Sequence, residues 1–397
     1  MTSTRDSIRV GVVGAGAMGS GIAQVAAQAG HQVVLADANP QATAKARSSI
    51  GEVLLKLVEK GKISVAARDT ALERIQFIEL PLGEAITAYG GCGIVIEAII
   101  EELAAKQALF AKLSAAVASD AVLATNTSSL SVASIAAACS RPERVIGIHF
   151  FNPAPVLPLV EIVPWLGTDS GVVARALQLV ESWSKTPVVA SDTPGFIVNR
   201  IARPFYGEAI RMLEEGVADV STIDWAVREL GGFRMGPFEL MDFIGNDVNY
   251  AVTRSVFEGF FYDPRYRPSL TQRRLVEAGF LGRKSGRGYY DYRPGATAPK
   301  PSRDRDLGAL ILDRIVTMLI NEAIDAAWLG VASPRDIDLA MTKGMNYPKG
   351  PLTWSNELGL GAVLRSMTEL QHQFGEDRYR PSPLLRRMVA EHRRFFE

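Results

Sequence analysis

Val10-Gly11-Val12-Val13-Gly14-Ala15-Gly16-Ala17-Met18-Gly19 is the stretch from which the fold of this chain follows. Val10 to Val13 reads as a buried strand, and Ile22 to Ala29 beyond the glycines reads as a helix. Between them the glycines have the spacing GxGxxG. Gly14 allows a tight turn, Gly16 lets a pyrophosphate approach the backbone, and Gly19 lets the helix pack closely on the strand. Ala17 and Met18 open the helix, where free N–H groups and a partial positive charge suit phosphate. Val10 to Ala36 contains no Asp, Glu, Lys or Arg and is long enough to span a bilayer. Its six glycines, Ser20 and the His31-Gln32 pair argue instead for a strand-turn-helix unit outside the membrane.

Outward from this turn, short β-rich runs alternate with helical patterns. The expected strands are residues 8–13, 32–36, 93–98, 122–125, 145–150, 159–163 and 187–190. Helices are expected over 104–118 and 172–184. Such alternation means a Rossmann-like α/β unit, a doubly wound and mostly parallel sheet covered by helices. After Asp192-Thr193-Pro194-Gly195 long amphipathic helical patterns take over, and residues 293–305 read as a linker rich in Pro, Gly and Arg. The helical part repeats. A shift of 114 positions lays Arg200 on Arg314, Glu208-Ala209-Ile210 on Glu322-Ala323-Ile324, Ile223-Asp224 on Ile337-Asp338, and Gly236-Pro237 on Gly350-Pro351. The expected domains are 1–191, a nucleotide-binding unit, then 192–295 and 303–397, two all-helical copies of one another.

The length of 397 residues suits two or three domains. Forty-three basic residues balance 43 acidic ones, which argues against a nucleic-acid binder. Two cysteines, Cys92 and Cys139, are too few for a disulfide framework, so a reducing, cytoplasmic compartment is expected. Met1 to Arg9 lacks an apolar core, so no signal peptide is read there. No His/Cys/Asp cluster has ligand spacing, and no metal is expected.

Asp37 ends the second expected strand, 23 residues after Gly14. A carboxylate there accepts hydrogen bonds from a ribose 2′-hydroxyl and repels a 2′-phosphate, which favours NAD over NADP. FAD competes for the same fingerprint, but no second flavin motif accompanies it. Of four histidines, only His149 falls at the end of an expected strand in the α/β unit, where ligands bind such sheets. Its pKa range suits general acid–base work. Glu161, in the apolar run Leu159-Val160-Glu161-Ile162-Val163, is expensive to bury unless paired, and His149 would satisfy it. Spacing alone leaves equally open a structural histidine and a glutamate on an edge strand.

Three motifs then carry a resemblance: Asn126-Thr127-Ser128-Ser129-Leu130, His149-Phe150-Phe151-Asn152-Pro153, and Asp192-Thr193-Pro194-Gly195-Phe196-Ile197-Val198-Asn199-Arg200. In order and spacing the chain resembles the NAD-dependent L-3-hydroxyacyl-CoA dehydrogenases over residues 8 to about 292. The region beyond resembles a second C-terminal domain of that family. The resemblance implies oxidation of (3S)-3-hydroxyacyl-CoA, with His149 as the base and Glu161 supporting it. Ser128 and Asn199 would hydrogen-bond substrate oxygens. Cofactor contacts would fall on Gly14, Gly16, Ala17, Met18, Gly19, Asp37, Glu101, Lys106, Ser128, Asn152 and Lys284, and Lys60 would contact coenzyme A. Blander readings stand beside these: Asn199 as a helix cap, Ser128 as a turn residue, Glu101 and Lys106 as a solvated helix face, and Lys60 as surface charge. Val53 departs from the family, which can offer coenzyme A a serine there.

Two other classes compete, a sugar-acid dehydrogenase of the same superfamily and a non-catalytic NAD-binding or crystallin-type protein. Phe150-Phe151 opposes the first, and the joint presence of Ser128, His149, Glu161 and Asn199 opposes the second. The tail from Gln371 to Pro381 resembles the 3-hydroxyadipyl-CoA branch, with 3-hydroxybutyryl-CoA equally open as substrate. The second helical copy is expected either to make a pseudo-dimeric monomer or to leave a homodimer.

Overall fold

The computed structural model describes residues 8–396. The chain divides into two compact units between Asp192 and Thr193. In the first, eight strands form one sheet in the order β3-β2-β1-β4-β5-β6-β7-β8. These are β1 (Val10–Val13), β2 (Val33–Ala36), β3 (Ile75–Ile78), β4 (Ile94–Glu97), β5 (Val122–Thr125), β6 (Val145–Phe150), β7 (Leu159–Val163) and β8 (Thr186–Val189). All neighbours are parallel except β6 and β7, which are antiparallel. The order reverses at β1, flanked by β2 and β4, so the switch point of the sheet lies where β1 runs into the glycine turn. Strands β1, β2, β4, β5, β6 and β7 are buried at every residue, as a sheet covered on both faces requires.

The sequence reading missed β3. It is a four-residue edge strand whose Gln76 is exposed, so the run is too short and too mixed for a periodic signal. Strand β8 lies at the opposite edge, where Pro187 is tolerated because an edge strand can spare an N–H. Glu161 lies on β7, between β6 and β8, so the edge-strand reading of this residue is corrected. Asp192 belongs with the first unit by its bonds: its carboxylate accepts from Val132 N at 2.9 Å and Ala133 N at 2.8 Å, at the start of the helix Val132–Ala136.

The second unit is helical and repeats with the register seen in the sequence. Pro334–Gly344 stands 114 residues after the helical stretch 220–230, and Pro351–Leu358 the same distance after Pro237–Ile244. Asp224 accepts from Phe238 N and Glu239 N, and its counterpart Asp338 accepts from Leu352 N and Thr353 N, all at 2.8–2.9 Å. The two copies bind each other reciprocally. Arg200 Nε donates to Glu322 at 2.6 Å, and Arg314 Nε donates to Glu208 at 2.9 Å. Tyr266 Oη donates to Glu322 at 2.6 Å, and Tyr379 Oη to Glu208 at 2.8 Å. In the arginine–glutamate pairs residue i of one copy contacts residue j of the other and the reverse, the pattern of a twofold interface, and the two tyrosines follow it with an offset of one position. No helix among the described residues is long and apolar enough to cross a membrane.

Candidate active site

The glycines of the turn fall into two kinds. Gly14 has φ 103°, and a Cβ there would lie 2.4 Å from the carbonyl oxygen of Ala98. A Cβ on Gly19 would lie 1.8 Å from the carbonyl oxygen of Gly14. Packing within the protein therefore demands both glycines. A Cβ on Gly16 would meet nothing within 4 Å, so the space over this residue is open. Gly16 is also the N-cap of the helix Ala17–Gln28, and no side chain caps that end. Asp37, just past β2, accepts from Ala15 N at 2.7 Å and Asn39 N at 2.9 Å, which holds its carboxylate beside the turn. An open cradle, an uncapped helix N-terminus and an adjacent carboxylate fit a dinucleotide.

Glu97 ends β4 and is fully buried. It accepts from Lys106 Nζ at 2.5 Å, Thr125 Oγ1 at 2.7 Å and Ile99 N at 2.7 Å. Lys106 is 1% exposed and also lies 3.2 Å from Glu101, so its reading as part of a solvated helix face is corrected. The other oxygen of Glu101 accepts from Thr127 Oγ1 at 2.7 Å, Ser128 N at 2.8 Å and Ser129 N at 3.0 Å. Burial works against the Glu101 charge, but Lys106 and these donors outweigh it and hold the carboxyl below the usual carboxylate range. Ser128 therefore sits in a loop organised by Glu101, with its own hydroxyl 3.3 Å from the same oxygen. This is more than a plain turn.

His149 and Glu161 face each other directly across the antiparallel β6–β7 pair. Nδ1 of His149 lies 2.7 Å from Oε2 of Glu161, with His149 5% exposed and Glu161 fully buried. The Phe151 ring lies 4.5 Å from the imidazole, centroid to centroid. Phe150 N donates to Asn126 Oδ1 at 2.8 Å, tying the end of β6 to the loop that carries Ser128. Asn152 follows β6 and is exposed.

Other expected residues belong to other elements of the chain. Lys60 is exposed at the end of the helix Pro40–Glu59. Asn199 and Lys284 belong to the second unit. Asn199 lies inside the helix Val198–Ile201, whose N-cap is Ile197, so its reading as a helix cap is corrected. Its carbonyl accepts from Arg203 Nε at 2.7 Å. Lys284 pairs with Asp247 at 2.6 Å. The sequence reading overlooked Glu97, and gave Asn126 no role beyond its place in a motif. Glu97 carries the same signal that exposed Glu161, a carboxylate closing the apolar run Ile94-Val95-Ile96. Asn126 gives no such signal, because its role depends on a strand 24 residues away.

Comparison with known proteins agrees with this geometry. Residues 9–193 match the family model for the 3-hydroxyacyl-CoA dehydrogenase NAD-binding domain. The model for the C-terminal domain of the same family matches twice, over residues 195–292 and 310–394. The 3-hydroxyadipyl-CoA dehydrogenase of Escherichia coli is 40% identical, covering 95% of this chain and 96% of that protein. A crystal structure of 3-hydroxybutyryl-CoA dehydrogenase from E. coli superposes with a TM-score of 0.92 at 39% identity, covering 97% of this chain and 99% of the other. The 3-hydroxybutyryl-CoA dehydrogenase of Mycobacterium tuberculosis is 43% identical but covers only 72% of this chain with 98% of its own length. The chain belongs to the NAD-dependent 3-hydroxyacyl-CoA dehydrogenase family.

Proposed function

We propose that the chain oxidises (3S)-3-hydroxyacyl-CoA to 3-oxoacyl-CoA with His149 as general base, and that the 2.7 Å His149–Glu161 pair carries this reading. With Nδ1–H donated to Glu161, the neutral imidazole presents its basic Nε2 to the substrate hydroxyl. As the O–H proton passes to Nε2, the C3 hydrogen leaves with its electron pair and the C=O bond forms. Glu161 stabilises the imidazolium produced. Bound over Gly14–Gly19, NAD supplies the hydride acceptor. Asp37 sets the preference for NAD. Glu101, Lys106, Asn152 and Lys284 complete the cofactor contacts, with Ala17 and Met18 at the helix start. Ser128 and Asn199 hold substrate oxygens, and Lys60 contacts coenzyme A. These roles rest on the motifs they occupy.

His149→Gln should lower kcat by about 10²–10⁴-fold while NADH affinity stays within a few-fold. Glu161→Gln should cost less, because the imidazole survives. Half of wild-type kcat in His149→Gln would refute the assignment.

Two chain-length readings compete, since the E. coli sequence and the E. coli crystal structure that match nearly the whole chain carry adipyl and butyryl names respectively. The tail Gln371 to Pro381 supports a dicarboxylic acyl chain, and 3-hydroxybutyryl-CoA stands equally beside it. Comparing kcat/KM for 3-hydroxyadipyl-CoA and 3-hydroxybutyryl-CoA decides it. The architecture we favour has three domains, with the second helical copy in the place that a twin subunit takes in shorter relatives. A cytoplasmic location is supported by Cys92 and Cys139, both buried free thiols.

A further inference from the structure

The second unit contains a cavity of about 10 Å³, the space of one water-sized body, walled by Arg203, Gly207, Glu208, Arg211, Arg265 and Gln272 among others. Every wall residue belongs to the first helical copy. The second copy differs at this place. Under the 114 shift Gly207 falls on Asn321, whose side chain accepts from Ser382 N at 2.8 Å and donates to Arg380 O at 3.1 Å. A Cβ on Gly207 would meet nothing within 4 Å. One copy thus fills the position with an amide, and the other leaves it open.

The charges differ as well. Arg203 falls on Thr317, and Arg211 falls on Asp325. Asp325 neutralises two arginines, accepting from Arg265 at 2.7 Å and Arg200 at 3.1 Å. Arg211 adds a cation where its counterpart is an anion. It is 9% exposed, and its Nε has no hydrogen-bond partner among the described residues. Oε1 of Glu208 lies 3.6 Å from that Nε, while Oε2 of the same carboxylate accepts from Arg314 and Tyr379, so Arg211 shares this one anion with Arg314. Arg203, 6% exposed, donates to neutral oxygens, the Asn199 carbonyl and Thr253 Oγ1 at 2.9 Å. Among the described residues no carboxylate lies within ion-pair distance of it. Arg265 Nε is likewise buried without a hydrogen-bond partner. Burial pushes the Arg203 and Arg211 guanidiniums below their usual range. Arg203 has no counter-charge and Arg211 only a shared one, and a neutral water does not offset such an excess of buried cations.

We propose that this cavity binds one monovalent anion of halide size, chloride under ordinary conditions, between Arg203 and Arg211. Room for about one water-sized body favours a single-atom anion over phosphate or a carboxylate. The anion serves the first copy as Asn321 and Asp325 serve the second.

The test uses the full-length protein in sodium chloride against sodium gluconate at matched ionic strength. Tm should rise saturably with chloride by about 2–4 °C, and bromide should act alike. Bromide-soaked crystals should show one anomalous peak between Arg203 and Arg211. Gly207→Asn, which supplies the amide of the second copy, should abolish the chloride dependence, and so should Arg211→Gln. Equal Tm in chloride and gluconate overturns the proposal, as does a cavity holding only water. Full chloride dependence in a folded variant overturns it too. If one variant does not fold, the other and the bromide peak decide.

Discussion

At the residue scale, Asp37 and Glu101 are carboxylates that each hold backbone N–H groups of a loop in place. Asp37 holds Ala15 N, inside the glycine turn, at 2.7 Å. Asp37→Ala should weaken NADH binding about 10–100-fold, the worth of one or two hydrogen bonds to a charged group, and narrow the preference over NADPH. Fluorescence titration with both nucleotides measures this, and a wild type that prefers NADPH would overturn the role given to Asp37. Glu101 has a folded-state pKa below its ordinary value. Its contribution to stability is therefore present above the unfolded pKa and lost as pH falls through the folded one. Glu101→Gln should flatten the acid side of the stability–pH curve below about pH 4.5 and leave it unchanged in slope near neutrality. Urea unfolding across that range is the check.

At the element scale, each helical copy contains the same device. Asp224 and Asp338 cap the helices Pro237–Ile244 and Pro351–Leu358 from 14 residues upstream. The N-cap is glycine in both, Gly236 and Gly350, because a Cβ would lie 2.3 Å and 2.1 Å from the aspartate's carboxyl carbon. Asp224→Ala and Asp338→Ala should each cost about 1–3 kcal/mol, since one buried and one half-buried N–H donor lose their acceptor. Gly236→Ala should destabilise as well, by forcing that carboxylate aside. An unchanged denaturation midpoint in all three would remove the device from the account.

For the whole molecule, the reciprocal pairs Arg200–Glu322 and Arg314–Glu208 join the two copies. Arg200→Ala leaves the buried Glu322 and Asp325 with Arg265 as their one remaining arginine and should cost about 3–5 kcal/mol. Light scattering should give a monomer mass for the full chain. Truncation after Arg293 strips the second copy from the apolar and charged face of the first, and should yield a dimer or an aggregating chain. A full-length dimer whose mass and activity survive truncation unchanged would end the idea that one copy substitutes for a twin subunit.

Residue order alone determined the sheet, the glycine turn and the repeat. Buried parallel strands need near-continuous apolar runs, a pyrophosphate turn needs glycines at fixed spacing, and duplicated helices keep their register. It also exposed Glu161, because a carboxylate in an apolar run needs a partner. Strand β3 stayed hidden because four residues at a sheet edge carry no periodicity. Tertiary structure decided how the charges are matched. Lys106 looks like surface on a helix, yet Glu97 at the end of β4 and Glu101 in the loop after it bind its buried ammonium. The cross-strand register that sets His149 opposite Glu161 depends on the one antiparallel pair in the sheet. Likewise, Arg211 and Asp325 are unlike residues at one repeat position. Only packing shows that one is neutralised by its neighbours while the other faces a cavity, because the partners that decide a buried charge come from elsewhere in the chain.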